Sequence, residues 1–393
     1  MQYNFDEIID RRNTASSKWD NVGVRVGNKD ALPMWVADTD FRCPQPVVDA
    51  VVRRAQHPIY GYPFVTPDFQ ESTVRWVEKR HGWKLDPEWI VFATGIVPVF
   101  NTMIQALTEE GDHIIISRPV YHPFGFAIDD NHRVLSDNSL IYKDGRYTID
   151  FEDLRRRAAD PKAKLMIFCS PHNPVGRVWT EEELFEVSKI CCENGVTLIC
   201  DEIHSDLMLY GHHHIPMGML GDEKMRNNII TCYAPSKTFN IAGLRGSAIV
   251  APDPKLRALL NQRFKMNRSI QQNVFAIPAY VAAYTECEDY LEQLLPYLEK
   301  NVDFLRNYLK EKMPKIKLVE PEATYLMWLD CSELGICGDE LASFIINDCK
   351  VAVSRGDGFG QEGKSFIRLN IGCPTSTLKQ GLDQIYEQYV KRF

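Results

Sequence analysis

The chain has 393 residues, 45% hydrophobic, 25% charged and 11% aromatic, with a formal net charge of −8. That length supports one large α/β domain and a smaller one with ample buried core, and the acidic balance argues against broad nucleic-acid or anionic-membrane binding while allowing a local basic pocket. No apolar run reaches the roughly 18–20 residues that span a bilayer, and "MQYNFDEIIDRR" lacks the apolar core of a secretion signal, so the reading is a cytoplasmic protein without a membrane partner.

The first forty-odd residues are too short for a domain. They end near the acidic "ADTDF" (37–41), which either lines a substrate entrance or caps the turn into a smaller unit. The middle of the chain then alternates short apolar runs with helical periods, the signature of a mostly parallel sheet. Strands are expected at "WIVFAT" (89–94), "HIIIS" (113–117), "KLMIFCS" (164–170), "VTLICDE" (196–202), "NIITCYA" (228–234) and "GSAIV" (246–250). Between the first two, Val99, Phe100, Met103, Ile104 and Leu107 share one helical face over 97–109. Thr180 and Glu183 form a capping box for a helix over 181–193. Eleven cysteines, an odd number, fit no complete disulfide framework, and Cys169, Cys200 and Cys232 fall in apolar strands where reduced, buried thiols are expected.

From about residue 286 the texture changes. Leu291, Leu294, Leu295, Leu298, Val302, Leu305 and Leu309 make a long amphipathic stripe that Pro296 is expected to bend. Strand-like "TYLMWLD" (324–330) and "SFIRLNIG" (365–372) follow, then a helix carrying Leu378, Leu382, Ile385 and Tyr389. The expected division is a large domain over 46–286 and a smaller α+β domain built from 1–45 and 287–393.

Several strand ends carry polar residues that are ordinary one at a time. Gly95 in "ATG" makes a strand–helix turn whose N–H groups favour a phosphate. Asn173 sits in the two-proline turn "SPHNPVG", either a rigid loop or a ligand contact. Asp201 ends an apolar strand, where a carboxylate needs a partner: a helix cap or a buried cationic ring nitrogen. Lys237 lies in "YAPSKTFNIAGLRGS" (233–247) at the mouth of another strand. Ligands gather beyond the carboxyl ends of strands in such sheets, so the ordered convergence of Gly95, Asn173, Asp201 and Lys237 points to one site. A lysine for an aldehyde, a carboxylate for a pyridine nitrogen and donors for a phosphate are what pyridoxal 5′-phosphate requires.

The order "SPHNPVG", "CDEIH", "SKTFN" and "FIRLNIG" resembles the aspartate-aminotransferase-like, fold-type-I enzymes that use this cofactor. More narrowly, "MWVADTDF", "YGYP", "SPHNPVGRVWT" and "DEIHSDL" resemble the cystathionine β-lyase, or cysteine-S-conjugate C–S lyase, branch. The resemblance covers nearly the whole chain. It implies a large domain with a mostly parallel seven-stranded sheet between helices, plus the smaller α+β domain. It also implies roles: Lys237 forms the Schiff base, Asp201 pairs with the pyridinium nitrogen, Asn173 bonds the ring 3′-oxygen and Tyr121 stacks on the ring. The phosphate falls to the Gly95 and Ile96 backbone, Ser236 and Arg245, with Tyr62 reaching it from the neighbouring subunit of a homodimer. Arg368 clamps the substrate α-carboxylate, with Tyr121 and Asn173 beside it. One departure is Ala234, where many members of that family carry a serine; this removes a phosphate hydroxyl.

Other features read more plainly. Consecutive histidines in "GHHHIP" (211–216) share no face and have no spaced acidic or cysteine partner, so a solvated loop is expected and no metal. Cys191 and Cys192 point apart on a helix. His204 lies near the presumed ring, as a structural hydrogen-bonding group or a catalytic one. The implied reaction is β-elimination on an L-cysteine S-conjugate such as L-cystathionine: Lys237 removes the α-proton, the β-thiolate leaves, and aminoacrylate decays to pyruvate and ammonia. The same constellation serves transamination, the alternative reading. A third reading adds protein–protein regulation to catalysis, without direct DNA binding.

Overall fold

The computed structural model describes residues 1–268 and 270–393. Its largest sheet has seven strands: β1 (Ile90–Ala93), β2 (His113–Ile116), β3 (Val134–Asp137), β4 (Ala163–Cys169), β5 (Thr197–Asp201), β6 (Ile229–Tyr233) and β7 (Ser247–Val250). Their order across the sheet is β1-β7-β6-β5-β4-β2-β3. All neighbours are parallel except β7, which runs antiparallel to both β1 and β6. Strands β5 and β6 are almost wholly buried, which is why they are written as continuous apolar runs rather than alternating ones. By contrast β3 is an edge strand with no fully buried residue, so its sequence, VLSD, carries no apolar signal.

Two layers of helices cover the sheet. On one face, helix α1 (Ile96–Leu107) buries Val99, Phe100, Met103 and Ile104 against Ile114, Ile167, Ile199 and Ile249. On the other, helix α2 (Glu181–Glu193) packs Leu184, Val187, Ile190 and Cys191 among Met166, Phe168, Leu198 and Cys200. The Thr180–Glu183 capping box starts α2: the Glu183 N–H donates to Thr180 Oγ1 at 3.2 Å and the Thr180 N–H to Glu183 Oε2 at 2.9 Å. A cap of this kind is worth about 1 kcal/mol. Cys169, Cys200 and Cys232 are buried and unpaired.

Helix α3 (Glu288–Lys312) runs unbroken through Pro296 and buries Leu291, Leu294, Leu298, Val302, Leu305 and Leu309. Beyond it an antiparallel sheet forms in the order β8 (Lys317–Leu318), β9 (Leu326–Asp330), β11 (Phe366–Asn370), β10 (Ser354–Arg355). Helix α4 (Thr375–Arg392) closes the chain and buries Leu378, Leu382, Ile385 and Tyr389. The N-terminal segment is tied to these elements, because Leu32–Pro33 pairs in parallel with Val351–Ala352. Among the described residues no helix is long and apolar enough to cross a membrane.

Candidate active site

The carboxyl ends of β1, β4, β5 and β6 and the start of β7 meet at one edge of the large sheet: Ala93 pairs with Ser247, Cys169 with Asp201, and Asp201 with Cys232. The turns leaving these strands therefore converge. Lys237 follows β6 in a short turn held by backbone bonds from Phe239 N–H to Pro235 (2.9 Å) and Ile241 N–H to Ser236 (3.1 Å). Tyr121, Asn173, Asp201, His204 and Lys237 line a single small, mostly closed pocket, together with Ala37, Cys169 and Ile203.

The electrostatics of this cavity are set by burial. Burial pushes the Asp201 carboxyl up to about 7 against the opposing pull of the Ile203 N–H and Lys237. It pushes the Lys237 ammonium down to about 8, with Arg368 adding to the fall and Asp38 and Asp201 opposing it. Buried His204 is held neutral, its value lowered to about 3 by burial and by the charges of Lys237 and Arg368. Its Nδ1 has no hydrogen-bond partner among the described residues. The Tyr121 hydroxyl is pushed up to about 12, again by burial. Two cations, an acid and an uncharged imidazole thus share one low-dielectric space, which is where titrations depart from ordinary values and chemistry concentrates.

Arg368 comes from β11 and is 3% exposed. Its Nη1 donates to Asn173 Oδ1 at 3.0 Å, and Nη2 donates to the Trp35 carbonyl at 3.0 Å and to Ser354 Oγ at 3.1 Å. Three of five donors are used; buried Nε has no partner among the described residues. Because Asn173 accepts through Oδ1, its amide NH₂ is left as the donor. Phe359 lies under the guanidinium, 4.8 Å from it.

Gly95 has φ +85°, a conformation that favours glycine, and it opens α1. Its N–H donates to Ser247 Oγ at 3.1 Å, and that hydroxyl donates on to the Ala93 carbonyl at 3.0 Å. Ser236 is half-buried beside Lys237. Arg245 is exposed, at φ +55°. Tyr62 is fully exposed and lines a separate groove with Ile59 and Phe64.

The segment 35–41, whose "ADTDF" stretch was expected either to line a substrate entrance or to cap a turn, meets the site through its backbone. Lys237 Nζ donates to the Ala37 carbonyl at 2.7 Å and Arg368 to that of Trp35. Asn370 Nδ2 holds the Val36 and Asp38 carbonyls at 2.5 and 2.6 Å. These are backbone contacts, so no side-chain motif announces them. The carboxylates of "ADTDF" are bonded to the N-terminal segment, although the Asp38 charge is still felt at Lys237. Asp40 accepts from Lys18 Nζ (2.7 Å), Arg11 Nη1 (2.7 Å) and Trp19 Nε1 (2.9 Å), and Asp38 accepts from Arg11 Nη2 (2.7 Å). They anchor the strap to the N-terminal segment. The expectation of a solvated "GHHHIP" loop needs correcting at one position: His214 is buried, with Nε2 2.8 Å from Glu202 Oε2, because that carboxylate follows Asp201 into the interior and needs a partner.

Residues 37–385 match the family described as aminotransferase class I and II. The chain belongs to that family. Among class I and II relatives, it is 44% identical over 384 residues to cystathionine beta-lyase PatB of Bacillus subtilis, covering 97% of this chain and 98% of the relative. The structure of cystalysin from Treponema denticola, which contains a pyridoxal 5′-phosphate cofactor, matches with a TM-score of 0.96 at 32% identity over the whole of both chains. A PLP-bound C–S lyase from Staphylococcus hominis matches with a TM-score of 0.92 at 35% identity, covering 99% of each chain.

Proposed function

We propose that the protein is a pyridoxal-5′-phosphate-dependent carbon–sulfur lyase cleaving L-cystathionine or a related L-cysteine S-conjugate to a thiol, pyruvate and ammonia. The observation that carries this reading is the one cavity shared by Lys237, Asp201, Asn173, Tyr121 and His204, with Arg368 bonded to Asn173. The likeness to cystathionine beta-lyase PatB favours elimination over transamination within the family.

The donor set fits the cofactor. A depressed lysine suits an aldehyde, Asp201 would pair with the ring nitrogen, the free Asn173 amide with the ring oxygen, and Tyr121 would lie against the ring. His204, with its unpartnered Nδ1, would complete that wall. The Gly95 and Ile96 backbone, Ser236 and Arg245 would hold the phosphate at the N-terminus of α1. When bound, the cofactor supplies an electron-accepting ring that stabilises negative charge at the substrate α-carbon.

The chain supplies the rest. Arg368 binds the substrate α-carboxylate with donors left unused by Asn173, Trp35 and Ser354, which orients the α-hydrogen. Lys237 Nζ accepts that proton. At pH 7 a lysine of pKa about 8 is roughly a tenth free amine, some 300-fold more than one at its ordinary value. Breakage of the Cβ–S bond then expels the thiolate, and hydrolysis of the three-carbon remainder gives pyruvate and ammonia.

The division into a cofactor domain over 46–286 and a smaller domain from 1–45 and 287–393 belongs to this proposal. So does a homodimer in which Tyr62 reaches the partner's phosphate site. Its support is the run of exposed large side chains at Ile59, Tyr60, Tyr62 and Phe64, a surface that monomers rarely leave bare. The test is incubation of the loaded protein with L-cystathionine: thiol and pyruvate appear together. Amino-group exchange with a keto acid and no thiol would make it an aminotransferase instead.

A further inference from the structure

The two groups whose separation matters most are Asp201, which ends β5, and Lys237, in the turn after β6, and one buried bond joins the loops that follow these strands. Thr238 Oγ1, next to Lys237, donates to Asp206 Oδ2 at 2.8 Å. Asp206 ends the same short loop that begins at Asp201, and both partners are buried. The other carboxylate oxygen of Asp206 accepts from Trp76 Nε1 at 3.0 Å and lies 3.2 Å from His81 Nε2. These partners, with Thr238, outweigh burial and hold Asp206 below the ordinary carboxylate range. Trp76 in turn stacks on Tyr284 at 5.0 Å and meets Phe239 edge-on at 5.7 Å. The residue after Phe239 is fixed as well: Asn240 Nδ2 donates to the Thr39 and Phe41 carbonyls, and its Oδ1 accepts the Thr39 N–H.

We propose that Asp206 and Thr238 are positioning residues for Lys237, forming a buried strut that sets the lysine turn against the Asp201 loop. Neither lines the cavity, so neither is catalytic. A buried carboxylate with three donors around it is a rigid anchor, and a charge-assisted bond to the residue beside the lysine passes that rigidity to the lysine backbone. Around the amine stand Asp38 from the strap, Asp201 and His204 from the β5 loop, and Arg368 from β11. Losing the strut leaves these groups in place but frees the turn to admit water.

This rests on Lys237 being the reacting amine, and the test separates the two ideas. The full-length protein, freed of cofactor, is reductively methylated with formaldehyde and a borohydride-type hydride donor across a pH series, and labelling of Lys237 is followed by mass spectrometry. In Thr238→Val the labelling midpoint rises by about one pH unit, roughly a tenfold loss of free amine near neutrality. Thr238→Ser, which keeps the hydroxyl, restores the wild-type midpoint. A folded Thr238→Val protein with an unchanged midpoint overturns the strut; Thr238→Ala is read in the same way if the valine variant does not fold. Failure of added pyridoxal 5′-phosphate to protect wild-type Lys237 overturns the underlying reading instead.

Discussion

The amine of Lys237 rests on the backbone carbonyl of Ala37, 2.7 Å away and 200 residues earlier in the chain. The same strap presents the Trp35 carbonyl to Arg368. Two cations of the site are therefore oriented by carbonyl dipoles of one N-terminal segment, and that segment is itself anchored from behind by Arg11 and Lys18. Stability of the strap and function of the site are coupled through this geometry.

Lys237→Ala removes the proposed proton acceptor. The purified variant is expected to show no lysine-dependent visible absorbance with pyridoxal 5′-phosphate, and to lose about 10²–10⁴-fold or more in pyruvate formation. A variant that retains both signals overturns the assignment.

Asp201→Asn keeps the shape of the side chain and removes its charge. If the carboxylate stabilises a cationic ring, kcat falls by the equivalent of about 2–4 kcal/mol, roughly 30- to 1,000-fold. Steady-state kinetics with an S-conjugate reads this directly, and near-wild-type turnover would reduce Asp201 to a structural role.

Arg368→Lys keeps a positive charge but loses the planar fork. Loss of one charge-assisted bond costs about 1.5–3 kcal/mol, so KM is expected to rise roughly 10- to 100-fold with a smaller change in kcat. An unchanged KM would place the substrate carboxylate elsewhere.

Lys18 is 1% exposed and pairs with Asp40, itself buried. Lys18→Met leaves Asp40 to Arg11 and Trp19 alone and is expected to cost about 1.5–3 kcal/mol for the lost charge-assisted bond, seen as a lower urea midpoint. Activity should fall with it, because the strap carries the carbonyls that face Lys237 and Arg368.

Acid should unfold the protein through three buried carboxylates. Burial alone would raise Asp40, Glu202 and Asp206, but Lys18 at the first, His214 and Tyr233 at the second, and His81, Thr238 and Trp76 at the third hold each below its ordinary value. A folded value below the unfolded one stabilises above the unfolded pKa of about 4, and that contribution is lost as pH falls through the folded values. Urea midpoints are expected to change little from these groups between pH 7 and 5 and to drop below about pH 4. A flat profile down to pH 3 would contradict the pairing.

Much of the sheet was readable because its central strands, such as IITCY and TLICD, are buried on both faces and are apolar along most of their length. The edge strand Val134–Asp137 escaped, since a half-exposed strand needs no such pattern. Pro296 does not end helix α3, which continues on both sides because its apolar stripe is anchored by tertiary packing. At the site, Lys237, Asp201 and Asn173 stood out as charged or polar side chains set at apolar strand ends, where water cannot satisfy them, whereas Arg368 was assigned only through the resemblance.

The amino-acid sequence by itself determined which groups are available and the strand ends that carry them, because burial and periodicity are local properties written in residue type. Only the tertiary structure decided how they meet. The Ala37 and Trp35 carbonyls belong to backbone that every residue possesses, so nothing in their side chains marks them. The Thr238–Asp206 bond joins loops from different strands, and His214 finds Glu202 only once the sheet has formed. Such contacts arise from the need to satisfy buried polar atoms in three dimensions, a requirement the linear order states but cannot resolve.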